Sequence, residues 1–200
     1  MKKAIVLFLV LSMIFIVSCS SKRRVTRVNP DEAIDLSGRW NDTDSNLVSK
    51  EMIKDCLSGS WIDKYKAQNK KAPVVIVGRV VNKSHERINV ETFVKDLERA
   101  LINSGEVDFV ADKSQREELR SERQDQAMNA SDDTQKSPGH EIGADFMVKG
   151  QIHTTLDTLG GEQVRAYQVE LELIDIKTNR KAWILQKKIK KYIEKADTSW

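Results

Sequence analysis

This 200-residue chain has few His and Cys, and the spacing of these and of its many charged residues gathers none of them into a catalytic set. His85, His140 and His153 fall in three separate segments. With 3 His and 2 Cys in all, a Cys/His-rich zinc site is out of reach, and no smaller metal site is expected. There is no G-x-S-x-G elbow, no P-loop and no G-x-G-x-x-G turn. The doubled glycine Gly160-Gly161 lies between two strand-like segments. A phosphate cradle needs its glycines to open a helix, and these do not. His85 and Glu86 are neighbours in a polar loop, which is ordinary for a chain that is 32% charged. Carboxylates are plentiful, but most alternate with bases on helical segments, as solvated faces do. These residues predict no catalytic group, no metal, no cofactor and no small-molecule substrate. A strongly basic protein would suggest a nucleic-acid partner. The formal net charge of +3 falls to +1, 31 bases against 30 acids, once Lys2 and Lys3 are set aside as part of a leader. No nucleic-acid partner is expected at that balance.

The thiol with a role is Cys19. Met1-Lys2-Lys3 precedes a 14-residue apolar run from Ala4 to Val17, interrupted only by Ser12. A membrane-spanning helix needs about 20 apolar residues, so the run suits a secretory leader instead. It ends in Ile16-Val17-Ser18-Cys19, which resembles a bacterial lipobox, with Ile16 where Leu is commonest. The resemblance implies cleavage between Ser18 and Cys19 and acylation of Cys19. Two or more acyl chains hold a protein firmly on a bilayer. Ser20 follows the cysteine where Asp would mark inner-membrane retention, which favours the outer membrane. Cys56 then has no intramolecular disulfide partner. It follows Val48 and Met52 at spacing four, so it reads as a buried, inert thiol on the apolar stripe of a helix.

The elements around these residues describe one folded domain. Residues 1–18 are the leader, and residues 19–42 are a lipidated cysteine, a short tether and an extended lead-in. Residues 43–193 are a single globular domain, and residues 194–200 are a polar tail. A tether of about 20 residues reaches roughly 70 Å at most, which keeps the domain near its own membrane. A helix is expected from Thr43 or Asp44, either of which can cap it, to about Leu57, with Gly59 as its stop. Trp61, Ile62 and Tyr65 give a short amphipathic turn. The run from Val74 to Val81 is almost continuously apolar, as in a strand covered on both faces. Val90, Phe93, Val94, Leu97 and Leu101 form the clearest helical stripe, capped by Asn89 and stopped by Gly105. Val107 to Ala111 is a short second strand, completing a βαβ unit. Asp112 to Asn129 is a charged surface helix in which Ser114 and Glu117 have capping-box spacing. A helical turn is expected near Pro138 to Gly143. Three alternating segments follow, turning at Gly160-Gly161 and at Lys177-Thr178-Asn179, and they read as an antiparallel meander. The fold class is therefore α/β (α+β): one mixed sheet of four to five strands flanked by helices.

Two segments suit recognition. Asp35-Leu36-Ser37-Gly38-Arg39-Trp40-Asn41-Asp42-Thr43-Asp44 has neither helical nor strand period. Trp40 either folds onto the core or, with Arg39, meets a partner, since Trp and Arg are enriched at hot spots. The loop from Asn82 to Arg87 leaves the buried strand and is free to carry recognition. Asn82, Lys83, Ser84 and Arg87 are the first candidates for partner binding, and Arg39 and Trp40 the second.

The segment Asp35 to Ser45 after a lipobox resembles the LpoB family of penicillin-binding protein activators. Val81-Asn82-Lys83-Ser84, the helix Val90 to Asn103, and Lys177-Thr178-Asn179-Arg180-Lys181-Ala182-Trp183 fit the same pattern. The resemblance implies a fold like the N-terminal domain of TolB. It implies a lipoprotein of the outer membrane, facing the periplasm, that stimulates a class A (bifunctional) penicillin-binding protein by contact and makes no bonds itself. The chain departs from enterobacterial relatives in its short tether, which holds a single proline where they carry a long Pro- and Gln-rich linker. An alternative is a structural subunit of an envelope assembly, such as a curli-type secretion pore. That would need strand pairs of about 10 lipid-facing alternating residues, and none is spare. An enzyme acting on cell-wall polymer would need a carboxylate pair or an activated nucleophile, and no spacing selects one.

Overall fold

The computed structural model describes residues 24–29, 32–136 and 138–194. The leader, Cys19, the Ser18–Cys19 cleavage site and all of the polar tail except Glu194 lie outside the described residues. The chain divides into two units, residues 1–32 and residues 33–200. The second holds every helix and strand described below.

Its first helix, α1 (Asp42–Ser58), starts one residue before Thr43, the earlier of the two residues named for its cap. The cap is Asn41, not Thr43 or Asp44. Asn41 Oδ1 accepts from Asp44 N at 3.1 Å, and Asp44 Oδ2 accepts from Asn41 N at 3.0 Å. Two backbone donors at the helix start, Asn41 N and Asp44 N, are thus satisfied reciprocally. Val48, Met52 and Cys56 are fully buried on one face of the helix. Gly59 ends it, and the expected turn after Gly59 is a full helix, α2 (Ser60–Asn69). Trp61 anchors α2: its indole N–H donates to Cys56 O at 2.7 Å, and its ring meets Phe146 edge-on at 5.0 Å.

Strand β1 (Val74–Asn82) and strand β2 (Asp108–Phe109) are parallel and flank helix α3 (Val90–Ser104), as the βαβ pattern requires. The second strand is shorter than Val107–Ala111. Only Val74 and Val75 pair with it. Helix α4 (Lys113–Asn129) buries no residue, in keeping with its charge. Its capping box is Asp112 with Gln115, not Ser114 with Glu117, because Asp112 N donates to Gln115 Oε1 while Gln115 N donates to Asp112 Oδ1, both at 3.0 Å. Pro138 and Gly139 form a turn and no helix follows. Instead Glu141 is gripped by Arg120 and Arg123 of α4, which hold its carboxyl at a pKa of about 2.

The meander is β3 (Phe146–Leu159), β4 (Glu162–Asp175) and β5 (Lys181–Ile193). Sheet order is β2-β1-β3-β4-β5, with β1 and β3 parallel and the last three antiparallel. The fold class is as expected: one mixed five-stranded sheet with four helices among the described residues. Inward residues Phe146, Val148 and Ile152 of β3 face Tyr167, Val169, Leu171 and Leu173 of β4, all buried. Helices α1 and α3 cover this face. Fully burying a Leu, Val or Phe side chain contributes about 1.5–3 kcal/mol, so this layer is the main source of stability.

Candidate functional site

The two recognition segments are far apart in sequence, yet the fold joins them through one carboxylate. Glu86 sits in the loop after β1 and is half-buried. Its Oε2 accepts from Tyr167 Oη at 2.8 Å and from Trp40 N at 3.3 Å. Its Oε1 lies 2.8 Å from Arg165 Nη1 of β4. That nitrogen is buried and its N–H bonds do not point at an acceptor, so the contact is an ion pair rather than a hydrogen bond. Arg165 Nη2 donates to Gln163 Oε1 at 3.0 Å. Burial, then the hydrogen bond to Glu86, pushes the Tyr167 hydroxyl up to about 12.

The loop has a local logic of alternation. Asn82, Ser84 and Glu86 are half-buried, while Lys83, His85 and Arg87 are exposed. Asn82 Nδ2 donates to Glu86 O at 2.8 Å, and Asn82 Oδ1 accepts from Ser84 N at 2.9 Å. Ser84 Oγ donates to Asn82 Oδ1 at 2.6 Å and accepts from Glu86 N at 3.1 Å. His85 N donates to Thr154 Oγ1 at 3.1 Å, which ties the loop to β3. Asn82 and Ser84 therefore shape the loop, and Lys83 and Arg87 are its outward groups. A short polar side chain that bonds nearby backbone is a common way to fix such a turn.

The segment Ala33 to Asn41 lies across the same end of the sheet. Trp40 is half-buried and meets Phe93 at 6.3 Å and Tyr167 at 5.4 Å, both edge-on. Its indole N–H donates to Ser45 Oγ at 2.9 Å. Of the two readings of Trp40, its packing is that of a ring folded onto the core. Gly38 turns the chain with φ of 63°. Lys191 of β5 holds the segment down. Its Nζ contacts Asp35 Oδ1 and Asp44 Oδ2, each at 2.6 Å, and Arg39 O at 3.2 Å. Burial alone would lower the Lys191 pKa, but the bonds to Asp35 and Asp44 outweigh it and hold it above its ordinary value.

Between the segment and the loop lies a hollow of about 250 Å³ lined by Arg39, His85, Glu86, Arg87, Thr154, Leu156 and Arg165. Of the six candidates, Arg39 and Arg87 meet here, while Trp40, Asn82 and Ser84 pack behind them. Lys83 belongs to a different surface, a hollow of about 490 Å³ on the outer sheet face with Arg79, Lys149 and Lys181. Sequence reasoning missed Glu86, Tyr167 and Arg165. Nothing local marks them, since Glu86 is 46 residues from Trp40 and 81 from Tyr167. No group of His, Cys, Asp and Glu among the described residues could hold a metal ion. None of their helices is long and apolar enough to cross a membrane.

The site thus joins one carboxylate, Glu86, to Arg165, Tyr167 and the Trp40 backbone, with Arg39 and Arg87 exposed around it. The family model for the peptidoglycan-synthase activator LpoB matches residues 44–189, and the chain belongs to the LpoB family. Several solved structures are similar. The C-terminal domain of LpoB from Escherichia coli is 16% identical with a TM-score of 0.41, covering 73% of this chain and 98% of that one. The NMR structure of E. coli LpoB is 13% identical with a TM-score of 0.40, covering 89% and 85%. Lipoprotein GNA1162 from Neisseria meningitidis is 14% identical with a TM-score of 0.38, covering 63% and 88%. These scores are low, and membership of the family stands on the sequence match. A search of curated proteins gives no match. The family description makes the chain a regulator in kind, one that activates a peptidoglycan synthase.

Proposed function

We infer that this chain is a lipid-anchored activator of a class A penicillin-binding protein, acting by contact from the outer membrane into the periplasm. The leader 1–18 is removed, Cys19 is acylated, residues 20–42 lead into the domain 43–193, and residues 194–200 are a polar tail. The contact surface is the end of the sheet that presents Arg39 and Arg87, with Trp40, Asn82 and Ser84 packed behind them and Lys83 on the adjoining outer face. One observation carries the reading beyond family membership. The fold draws segment 33–41 and loop 82–87 onto the single carboxylate of Glu86, so both candidate segments are held in one fixed arrangement. A preorganised surface binds without the cost of ordering its loops. Activation then requires tighter binding to the active conformation of the synthase than to the inactive one.

The test is a pull-down from detergent-solubilised host envelope with residues 25–200 as bait, followed by a glycan polymerisation assay. A class A synthase as the dominant partner, with faster polymerisation in the presence of the chain, is expected. A different envelope protein in that place, with polymerisation unchanged across the host's synthases, would sink the reading.

A further inference from the structure

The hollow between Arg39 and Arg87 is a cationic socket. Arg165 at its base is already paired with Glu86 at 2.8 Å. The guanidinium groups of Arg39 and Arg87 have no ion pair or hydrogen bond among the described residues, and both side chains are exposed. By contrast, Arg120 and Arg123 of helix α4 are both bonded to Glu141. Three arginines and one glutamate leave a local charge of +2 before His85 is counted, on a chain whose overall balance is near neutral. The planar fork of arginine matches a carboxylate in two-point contact, which an ammonium cannot do. Size narrows the occupant. At about 250 Å³ the hollow is below the roughly 300–1,000 Å³ of ordinary small-molecule pockets. It has room for one acidic side chain. Leu156, 54% exposed, supplies an apolar wall for that side chain's methylenes.

We propose that this socket takes a single Asp or Glu side chain of the protein partner, seated between Arg39 and Arg87 against Leu156. The inference rests on the partner reading above and gives that partner a chemistry: an exposed carboxylate on the surface it presents to the activator. Glu86 has a second part in this. By pairing with Arg165 it removes the deepest positive charge, so the site is selective for the two outer arginines and for a carboxylate that approaches from solvent.

The experiment measures binding of the full chain, in detergent, to a purified class A synthase of its host. The wild type is compared with Arg39→Glu/Arg87→Glu, with Arg39→Lys/Arg87→Lys, and with Arg180→Glu at the opposite end of the sheet. Weakening by about tenfold or more in the double Glu variant is expected. The double Lys variant should sit between it and the wild type, and Arg180→Glu should bind as the wild type does. Melting temperatures should not differ. The decisive arm is a scan of Asp and Glu to Lys on the synthase. One such substitution should weaken binding to the wild-type chain and restore it to the double Glu variant. Three results would overturn the inference. If the double Glu variant binds as the wild type does, the socket is empty in the complex, and the activator reading survives. If no partner substitution rescues it, the charge acts only at long range. If inorganic phosphate binds the chain with micromolar affinity by calorimetry and loses that affinity in the double Glu variant, while synthase binding is indifferent to the arginines, the occupant is a free anion. A wild-type chain that binds no synthase removes the activator reading and the inference with it.

Discussion

Glu86 shows how much one side chain can coordinate when its partners come from distant segments. Its side chain and that of Arg165 are 16% and 13% exposed, so the pair is partly buried and only partly screened. Removing the carboxylate leaves Arg165 without its counter-ion and Tyr167 with only the long contact to Gly38 O at 3.5 Å. Glu86→Ala should therefore cost about 2–3 kcal/mol, which at this size lowers the melting temperature by roughly 5–10 °C. Calorimetry checks it, and an unchanged transition would mean that water replaces the bonds at no cost. Tyr167 gives a pH signature. Its folded pKa of about 12 exceeds the ordinary phenol value near 10, so the folded state keeps the proton longer than the unfolded chain. The stabilisation is complete below pH about 10 and is lost as pH rises towards 12. Tyr65 is also raised to about 12 and loses stability over the same window. Tyr167→Phe should accordingly show a shallower alkaline loss than the wild type in denaturant titrations, with the other raised groups, Tyr65 and Cys56 among them, supplying what remains. Cys56, pushed up to about 12 by burial, should resist thiol reagents in a Cys19→Ser chain at neutral pH and react only on unfolding. Cys56 was legible because it stands on its own helix stripe. Glu86 was not, because a loop carboxylate beside a histidine looks solvated until Trp40, Arg165 and Tyr167 arrive from elsewhere.

At the scale of elements, periodicity did most of the work. The continuous apolar run of β1, the stripe of α3 and the alternation of β3, β4 and β5 are local patterns, and each element formed where its pattern lay. The departures share a cause. Asn41 rather than Thr43 caps α1 because the cap must reach the third residue of the helix and receive Asp44 in return, a pairing that several nearby polar residues could satisfy on paper. The strand β2 is cut to Asp108–Phe109 because only β1 is beside it to pair with. Gly150 is another feature only the sheet reveals. A Cβ there would lie 2.5 Å from Glu170 O and 2.5 Å from Leu171 Cδ2. The first is backbone and cannot swing away, so Gly150→Ala should force β3 and β4 apart at a cost of about 1–3 kcal/mol. Urea denaturation of the variant measures this. A stability equal to the wild type's would show that the strands yield freely at that point.

At the scale of the molecule, a near-neutral net charge conceals an uneven surface. Arg39 and Arg87 stand together at one end of the sheet, and the free edge β5 carries Lys187, Lys188, Lys190 and Lys191. Lysines along an exposed strand edge discourage pairing with another chain, so β5 is poorly suited to adding strands from a second copy. Binding through the arginine end should weaken steeply with added salt, because rim charges act through screened fields. Measuring the partner's affinity at low and physiological ionic strength tests this, and a flat response would assign the contact to apolar surface instead. Lys191 has a mechanical meaning beyond its ion pairs. It joins Asp35, near the start of the folded unit, to the end of the last strand. Any pull from the N-terminal side reaches this junction before it reaches the buried layer. Load is then taken at a few charged contacts that can open and re-close one by one. The sheet behind them, and the surface that segment 33–41 helps to form, feel the force only after that fastening has given way.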